Sequence, residues 1–221
     1  MNDLLNLAVE AHGGLKRWSR VEAVTVAASI TGEIWQTKSK PDYLKNVIFN
    51  AETKRERVTM DFPGQDKRSR FEPNRVEMQR RDGTVVATRD DPEASFQGQE
   101  QFTPWDDLDV AYFSGEALYT YCNTPFLCTY DGFSSEEIPP IQVDAETWRR
   151  LKVTFPDTVK SHTKTQTSVL VRMAYYGVMT TRWTSLVVHQ DSTTPPIIEM
   201  SSESSSPQSG ESMHTKATTE S

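Results

Sequence analysis

An acidic and aromatic run, TPWDDLDVAYFSG, occupies residues 103–115. A carboxylate beside an aromatic ring is a typical general base, because desolvation raises its pKa toward neutral operation. Asp109 and Asp107 are the candidate bases, since both lie close to Trp105 along the chain. The candidate proton donors are Tyr112 in the same run and, elsewhere in the chain, His12 and Tyr119.

The same run also predicts the start of a helix. Thr103 is a favourable N-cap residue and Pro104 suits the first helical position. Asp106, three residues after Thr103, completes a capping box, and the helix dipole favours the negative charge of Asp107 in the first turn. The acids are therefore either part of a catalytic site or a cap on a helix that we expect to extend to about Cys122.

This helix is predicted to be apolar on two sides, and a helix of that kind must be contacted on both. Either it is packed between a sheet and another segment, or it covers a curved sheet while its aromatic side chains line a cavity. In the second case the ligand-binding residues are Trp105, Tyr112, Tyr119 and, from an earlier segment, Trp35. The two sides consist of Trp105, Leu108, Tyr112, Gly115 and Tyr119, and of Val110, Phe113, Ala117 and Tyr121.

The sequence lacks the motifs that bind common cofactors. There is no HxH or HExxH pattern, no glycine-rich dinucleotide fingerprint and no phosphate-binding P-loop. Cys122 and Cys128 are predicted to be buried, reduced thiols, because two cysteines in a chain of this size are not a disulfide framework. We therefore expect any chemistry to use neither a metal nor a cofactor.

The bulk composition argues against several partners. The chain has 221 residues and a formal charge of −7, which repels a nucleic-acid backbone. It has no apolar run of about 18 residues and no signal-like N-terminus, so we expect a cytoplasmic protein without a membrane span. Residues 1–190 are predicted to form a single domain, and the Ser/Thr-rich residues 191–221 to be a disordered tail.

The rest of the chain predicts an α+β fold with a curved, largely antiparallel sheet. An N-terminal helix should end near His12, with Gly13 and Gly14 adopting positive φ angles. Alternating apolar residues predict strands at residues 23–30, 58–62, 147–155 and 166–175.

A hairpin is predicted in RVEMQRRDGTVVATR, because Asp82-Gly83 is a favoured two-residue turn. This turn would place Val76, Met78, Val85 and Ala87 on one buried face. The register expected pairs Arg80 with Val85, Met78 with Ala87 and Val76 with Arg89.

Three phrases resemble a family of uncharacterised actinobacterial and fungal proteins. They are EAHGGLKRW, DDPEASFQGQEQFTPWDDLDVAYFSGEALYTYCNTPFL and ETWRRLKVTFPDTVKSHTKTQT. The family is similar to the lipoprotein-carrier (LolA-like) fold, which implies an open, strongly curved sheet, a half-barrel, around an apolar cavity closed by a helical lid. After Thr167 the chain departs from the family pattern, so altered or missing final strands are expected.

Two functions are compatible with these features. The first is binding of a small apolar molecule, lipid-like or polycyclic, by an accessory protein of secondary metabolism. The alternative is a cofactor-free cyclase, isomerase or dehydratase with a carboxylate general base. A truncated family member without activity is a third possibility.

Overall fold

A computed structural model describes residues 2–143, 146–175 and 178–186 of the chain. Within them the backbone forms two antiparallel sheets and four α-helices, and neither sheet closes into a barrel. The predicted α+β class with antiparallel pairing is confirmed. The tail predicted at residues 191–221 lies outside the described residues.

The elements follow one another along the chain in this way. The helices are α1 (Asp3–Ala11), α2 (Gly14–Trp18), α3 (Glu33–Thr37) and α4 (Asp107–Asn123). The strands are β1 (Ala23–Ala28), β2 (Val47–Glu52), β3 (Val58–Asp61), β4 (Arg68–Glu72), β5 (Arg75–Gln79), β6 (Val85–Asp90), β7 (Ser134–Val143), β8 (Glu146–Thr154), β9 (Thr165–Tyr175) and β10 (Val178–Leu186). Short 3-10 turns occur at Pro92–Phe96 and Phe126–Thr129.

The chain divides into two compact units. Residues 22–122 form one unit, which contains the six-stranded sheet in the order β1-β2-β3-β4-β5-β6. Residues 2–21 and 123–186 form the other, with α1, α2 and the four-stranded sheet β10-β9-β8-β7. That residues 1–190 behave as a single domain stays a prediction.

The six-stranded sheet is a meander with one buried face. Phe49 on β2 is opposite Met60 on β3, and Phe71 on β4 is opposite Val76 on β5. All four side chains are almost completely buried. The strand predicted at residues 58–62 is confirmed, and the strand predicted from residue 23 ends at Ala28.

The predicted hairpin between β5 and β6 forms, but its register next to the turn was predicted wrongly. The two pairs farthest from the turn are those expected. Val85 pairs with Gln79 instead of Arg80, because the register shifts between Met78 and Gln79. The N–H of Arg80 closes the loop by donating to the Thr84 carbonyl at 2.8 Å, so the extra residue forms a bulge.

The prediction that β6 shares the buried face of β5 is also wrong. Val76 and Met78 are buried, whereas Val85 is 46% exposed and Ala87 is exposed too. These side chains are exposed because β6 is the edge strand of its sheet and has a neighbouring strand on one side only.

Helix α4 is buried or half-buried along its whole length, as expected for a helix with two apolar sides. Gly115 brings its backbone into direct contact with the sheet. A Cβ atom at this position would lie 2.3 Å from Cγ of Phe71 on β4. No side chain larger than hydrogen fits at that point unless the helix or the ring moves.

In the second unit, α1 ends as predicted. His12 is its C-cap residue, and the φ angles of Gly13 and Gly14 are +99° and +77°. At the other end, the Asn2 side chain accepts hydrogen bonds from the N–H groups of Leu4 and Leu5. These two caps fix the length of the helix.

The apolar side of α1 lies against strands β8 and β10. Leu4 and Leu5 on the helix, and Leu151 and Val153 on β8, are almost completely buried. The strands predicted at residues 147–155 and 166–175 are thus confirmed as β8 and β9.

Strand β7 lies at the edge of the four-stranded sheet and contains Pro139 and Pro140. The pairing with β8 shifts between Ile138 and Ile141, so the two prolines lie in an irregular stretch. Proline has no N–H to donate to a ladder and is confined to edges and bulges. The sequence analysis did not predict this strand.

Candidate functional site

The first candidate base, Asp107, is held between two lysines. Its carboxylate oxygens lie 2.6 Å from Nζ of Lys40 and 2.6 Å from Nζ of Lys67. Both ammonium groups also lie over the ring of Tyr43, at 4.9 and 4.1 Å from its centroid. Burial raises the pKa of Asp107, but the two lysines outweigh it and the net pKa is below the ordinary value. The group is therefore an ionised anchor for the start of α4.

The capping box at the start of α4 is not the one predicted. The N–H of Asp109 donates to Asp106 Oδ1 at 2.8 Å, and the N–H of Asp106 donates to Asp109 Oδ2 at 3.1 Å. Asp106 is thus the N-cap residue, and the helix begins at Asp107. Thr103 instead accepts a hydrogen bond from the N–H of Glu100, which belongs to the preceding turn.

The second candidate base, Asp109, is buried and fully engaged. Its Oδ1 lies 2.7 Å from Nη1 of Arg89 and 2.9 Å from the hydroxyl of Ser95. Its Oδ2 accepts the backbone N–H of Asp106. Since both oxygens already have partners, this geometry supports a structural role, and catalysis by Asp109 stays a prediction.

Most of the predicted ligand-binding side chains lie in an aromatic cluster. The ring centroid of Trp105 is 4.8 Å from Phe113, 5.6 Å from Phe96 and 6.2 Å from Trp35. The Trp105 indole N–H donates to the side-chain oxygen of Gln99 at 2.7 Å. The aromatic cluster consists of Trp35, Phe96, Trp105, Tyr112 and Phe113.

Within this cluster Tyr112 lies between two phenylalanines. Its ring centroid is 5.7 Å from Phe71 and 5.6 Å from Phe96. Burial raises the pKa of its hydroxyl, and the charge of Glu116 raises it further. Tyr119 is buried as well. The rings pack against other rings of the protein, so their contact with a ligand stays a prediction.

The last candidate, His12, belongs to the other unit, residues 2–21 and 123–186. Its Nδ1 lies 2.8 Å from the carbonyl oxygen of Ala8. A carbonyl can only accept, so Nδ1 carries the proton and the histidine serves as part of the α1 C-terminus. Its ring also meets Phe126 edge to face at 6.3 Å.

One buried cation was missed by the sequence analysis. Lys38, at the end of α3, donates from Nζ to the carbonyl of Glu100 at 2.9 Å and lies 5.3 Å from the ring centroid of Trp105. Its own carbonyl accepts the N–H of Trp105 at 3.0 Å. Burial lowers the pKa of this lysine, against the opposing charge of Asp109. No local signal in QTKSK distinguishes it from a solvated lysine.

Both cysteines are free thiols, as predicted, and Cys128 is buried while Cys122 is half-buried. Burial raises the pKa of each to about 12. The thiolate is the reactive form, so both groups are inert near neutral pH.

We therefore expect a disulfide reagent such as dithiobis(nitrobenzoate) to react with the folded protein on the order of a hundredfold or more slowly than with the unfolded chain at pH 8. The raised pKa values also predict that folded stability falls as pH rises. The thiols' contribution is complete below the ordinary pKa of 9.0 and is lost as pH passes through about 12. A rapid reaction of either thiol in the native state would contradict this.

A cleft of about 490 Å³ lies in the unit of residues 2–21 and 123–186. The start of α1, Leu15 on α2 and the segment that leads into β7 form its walls. No residue of the aromatic cluster borders it. It is lined by Asn2, Leu5, Leu15, Cys128, Thr129, Tyr130, Asp131, Gly132, Phe133 and Ser135.

The residues around this cleft are well fixed. Trp18 stacks on Phe126 with a centroid distance of 4.2 Å, and its indole N–H donates to the hydroxyl of Tyr130 at 3.0 Å. The carbonyl of Tyr130 accepts the N–H of Phe133, which closes the turn that carries Asp131. Sequence reasoning missed this site because its walls are more than a hundred residues apart in the chain.

Two further features concern the described residues only. They contain no group of three or more histidine, cysteine, aspartate or glutamate side chains arranged to hold a metal ion. None of their helices combines the length and the apolar character that crossing a bilayer requires.

Comparison with known proteins adds no relative. No protein-family model, no curated protein and no solved structure matches the chain. The resemblance to the lipoprotein-carrier fold therefore stays a prediction that depends on the quoted phrases.

Proposed function

We propose that the protein binds a small molecule with an apolar body, and that the ligand occupies the cleft beside α1 and α2. The observation that carries this proposal is the cleft volume of about 490 Å³. Ligand pockets for small molecules typically enclose roughly 300 to 1,000 Å³.

The lining suits an amphipathic ligand. Leu15 and Phe133 provide apolar surface in the cleft. Leu15 is 40% exposed, which is high for an apolar residue and leaves it accessible to a ligand. Asp131 and Ser135 add polar groups at the same surface. The exposed lining of the cleft is more polar than apolar, so the ligand needs polar groups of its own beside its apolar part.

The alternative, a cofactor-free enzyme with a carboxylate base, finds less support. Asp107 is paired with two lysines, and Asp109 is engaged by Arg89, Ser95 and a backbone N–H. A general base needs a free acceptor within reach of the substrate proton. If the protein is nevertheless an enzyme of this kind, Asp109→Asn should abolish turnover. A place in secondary metabolism depends on the family resemblance alone.

The proposal predicts that Leu15→Lys weakens binding of the neutral apolar dye Nile red by about tenfold or more, since an ammonium group next to an apolar ligand is costly. The matched control is Leu7→Lys, because Leu7 lies on α1, is 51% exposed and does not line the cleft. Dye fluorescence at fixed protein concentration gives both affinities.

Equal dye affinity in the wild-type protein and the Leu15→Lys variant would contradict the proposed site. Native mass spectrometry of the purified full chain complements the titration by detecting small molecules that co-purify. A bound species that the Leu15→Lys variant lacks and the Leu7→Lys variant retains would support the proposal and identify the ligand.

A further inference from the structure

We infer that a second concave surface of the same unit binds a phosphate-bearing anion. This surface, the basic cleft, encloses about 400 Å³ beside α2. It shares no lining residue with the cleft of the proposed function. The basic cleft is lined by Gly13, Lys16, Arg17, Arg20 and Val21.

The first argument is charge. Three of the five lining residues end in cationic groups and none is an acid, although most of the exposed lining is apolar. Several arginines elsewhere in the described chain are paired with carboxylates, as in the pairs of Arg57 with Glu72 and of Arg68 with Asp61.

Within the described part of the chain, no carboxylate lies within ion-pairing distance of Lys16, Arg17 or Arg20. The nearby carboxylate of Glu10 lies against Gly14 instead. Three like charges in one concavity repel one another, and a bound anion would relieve that repulsion.

The second argument is geometry. The side chain of Arg17 lies directly on the backbone of Gly13, where a Cβ atom would be 3.0 Å from its Cδ and 3.1 Å from its Nη1. The absence of a side chain at Gly13 thus lets the guanidinium fold back over the cleft. Lys16 and Arg20 are four residues apart, and the N–H of Arg20 donates to the Arg17 carbonyl at 3.1 Å. The turn after α2 thereby brings the third cation to the same surface.

The third argument concerns the type of anion. A phosphate group presents several acceptor oxygens that guanidinium groups match in pairs, and a lysine adds a point charge. The protein has a formal charge of −7, so its overall field repels a long polyanion. A compact phosphate, either free on a small molecule or in a lipid headgroup, fits both the local cations and this field.

The test is a calorimetric titration of the full-length protein with pyrophosphate at constant ionic strength. Saturable binding is expected in the wild-type protein, and the double variant Arg17→Gln/Arg20→Gln should bind about tenfold more weakly or worse, because two charge-assisted hydrogen-bond donors are removed. The matched control is Arg80→Gln/Arg81→Gln, which removes the same charge from two exposed arginines on the β5–β6 turn.

A second arm separates the two sources of phosphate. Vesicles of phosphatidylcholine with 20% phosphatidic acid are compared, by co-sedimentation, with pure phosphatidylcholine vesicles. Binding to the acidic vesicles without binding of pyrophosphate assigns the site to a lipid headgroup, whereas pyrophosphate binding assigns it to a soluble phosphate. The inference is overturned if neither probe binds, or if the control variant loses as much affinity as Arg17→Gln/Arg20→Gln. Leu15→Gln, a change without charge in the cleft of the proposed function, should leave this binding unchanged, which separates it from the proposed function.

Discussion

Gly115→Ala is expected to destabilise the protein by about 1 to 3 kcal/mol, the usual cost of overfilling a packed core. The new methyl group would lie 2.3 to 2.8 Å from three atoms of the Phe71 side chain, which is itself almost completely buried. Helix propensity alone predicts the opposite sign, since alanine is better than glycine in a helix by about 1 kcal/mol. Chemical denaturation of both proteins measures the difference.

A double variant identifies the cause. Phe71→Leu removes part of the ring that the methyl group would strike, so its combination with Gly115→Ala should cost less than the sum of the two single changes. Phe71→Leu alone is destabilising because it leaves a cavity under α4. Additive effects, or a stabilising Gly115→Ala, would contradict the close contact between helix and sheet.

Arg89→Leu is expected to cost about 2 to 3 kcal/mol. The guanidinium of Arg89 pairs with Asp109 and with Asp106, and the Asp109 side chain is only 9% exposed. Removing one partner leaves a buried carboxylate unpaired, which costs roughly 3 to 5 kcal/mol in fully buried pairs. We expect a smaller value because the Arg89 side chain is 25% exposed and water can partly replace it.

The matched control for this change is Arg75→Leu. Arg75 on β5 also pairs with two carboxylates, Glu77 and Asp90, but its side chain is 44% exposed, so its loss should destabilise the protein clearly less than the loss of Arg89. Adding Asp109→Asn to Arg89→Leu should recover part of the stability by removing the unpaired charge. Equal losses for the two arginine variants, without recovery by Asp109→Asn, would show that the Asp109 pair is not a main anchor of α4.

The start of α4 shows what sequence reasoning can and cannot locate. Periodicity predicted a helix with two apolar sides, and every residue of α4 is buried or half-buried. The cap was misplaced by three residues, because Thr103 and Asp106 are both good N-cap residues and the sequence alone cannot rank them. Asp106 also pairs with Arg89 on β6, a contact that the local sequence does not reveal.

One strand prediction failed at an edge, and the interior strands β2 and β4 were not predicted at all. Val85 looked like a buried residue because its alternation is correct, yet β6 has one neighbour and Val85 is exposed. Periodicity reports which side chains share a face, whereas the number of neighbouring strands depends on the whole sheet. The interior strand β8 was predicted correctly. It has a neighbouring strand on each side, and its alternating apolar residues form a buried face, as the sequence pattern predicts.

The candidate sites depend even more on long-range structure. Leu15 and Asp131 border one cleft although they are far apart in the chain. Asp109 was a plausible base on local grounds, because the sequence places it near Trp105, and only the fold shows that its oxygens are engaged. Residue types therefore indicated possible chemistry, but the partners of each group determined which possibilities survived.

The two prolines of β7 also bear on how the four-stranded sheet meets other polypeptides. A strand arriving from another molecule would find two consecutive positions, Pro139 and Pro140, that cannot donate to it. Each missing N–H donor leaves one carbonyl of the added strand without a hydrogen bond. This edge of the sheet therefore resists fibril-like growth and strand exchange between copies. Replacing both prolines would remove that protection without changing any residue that lines the two clefts.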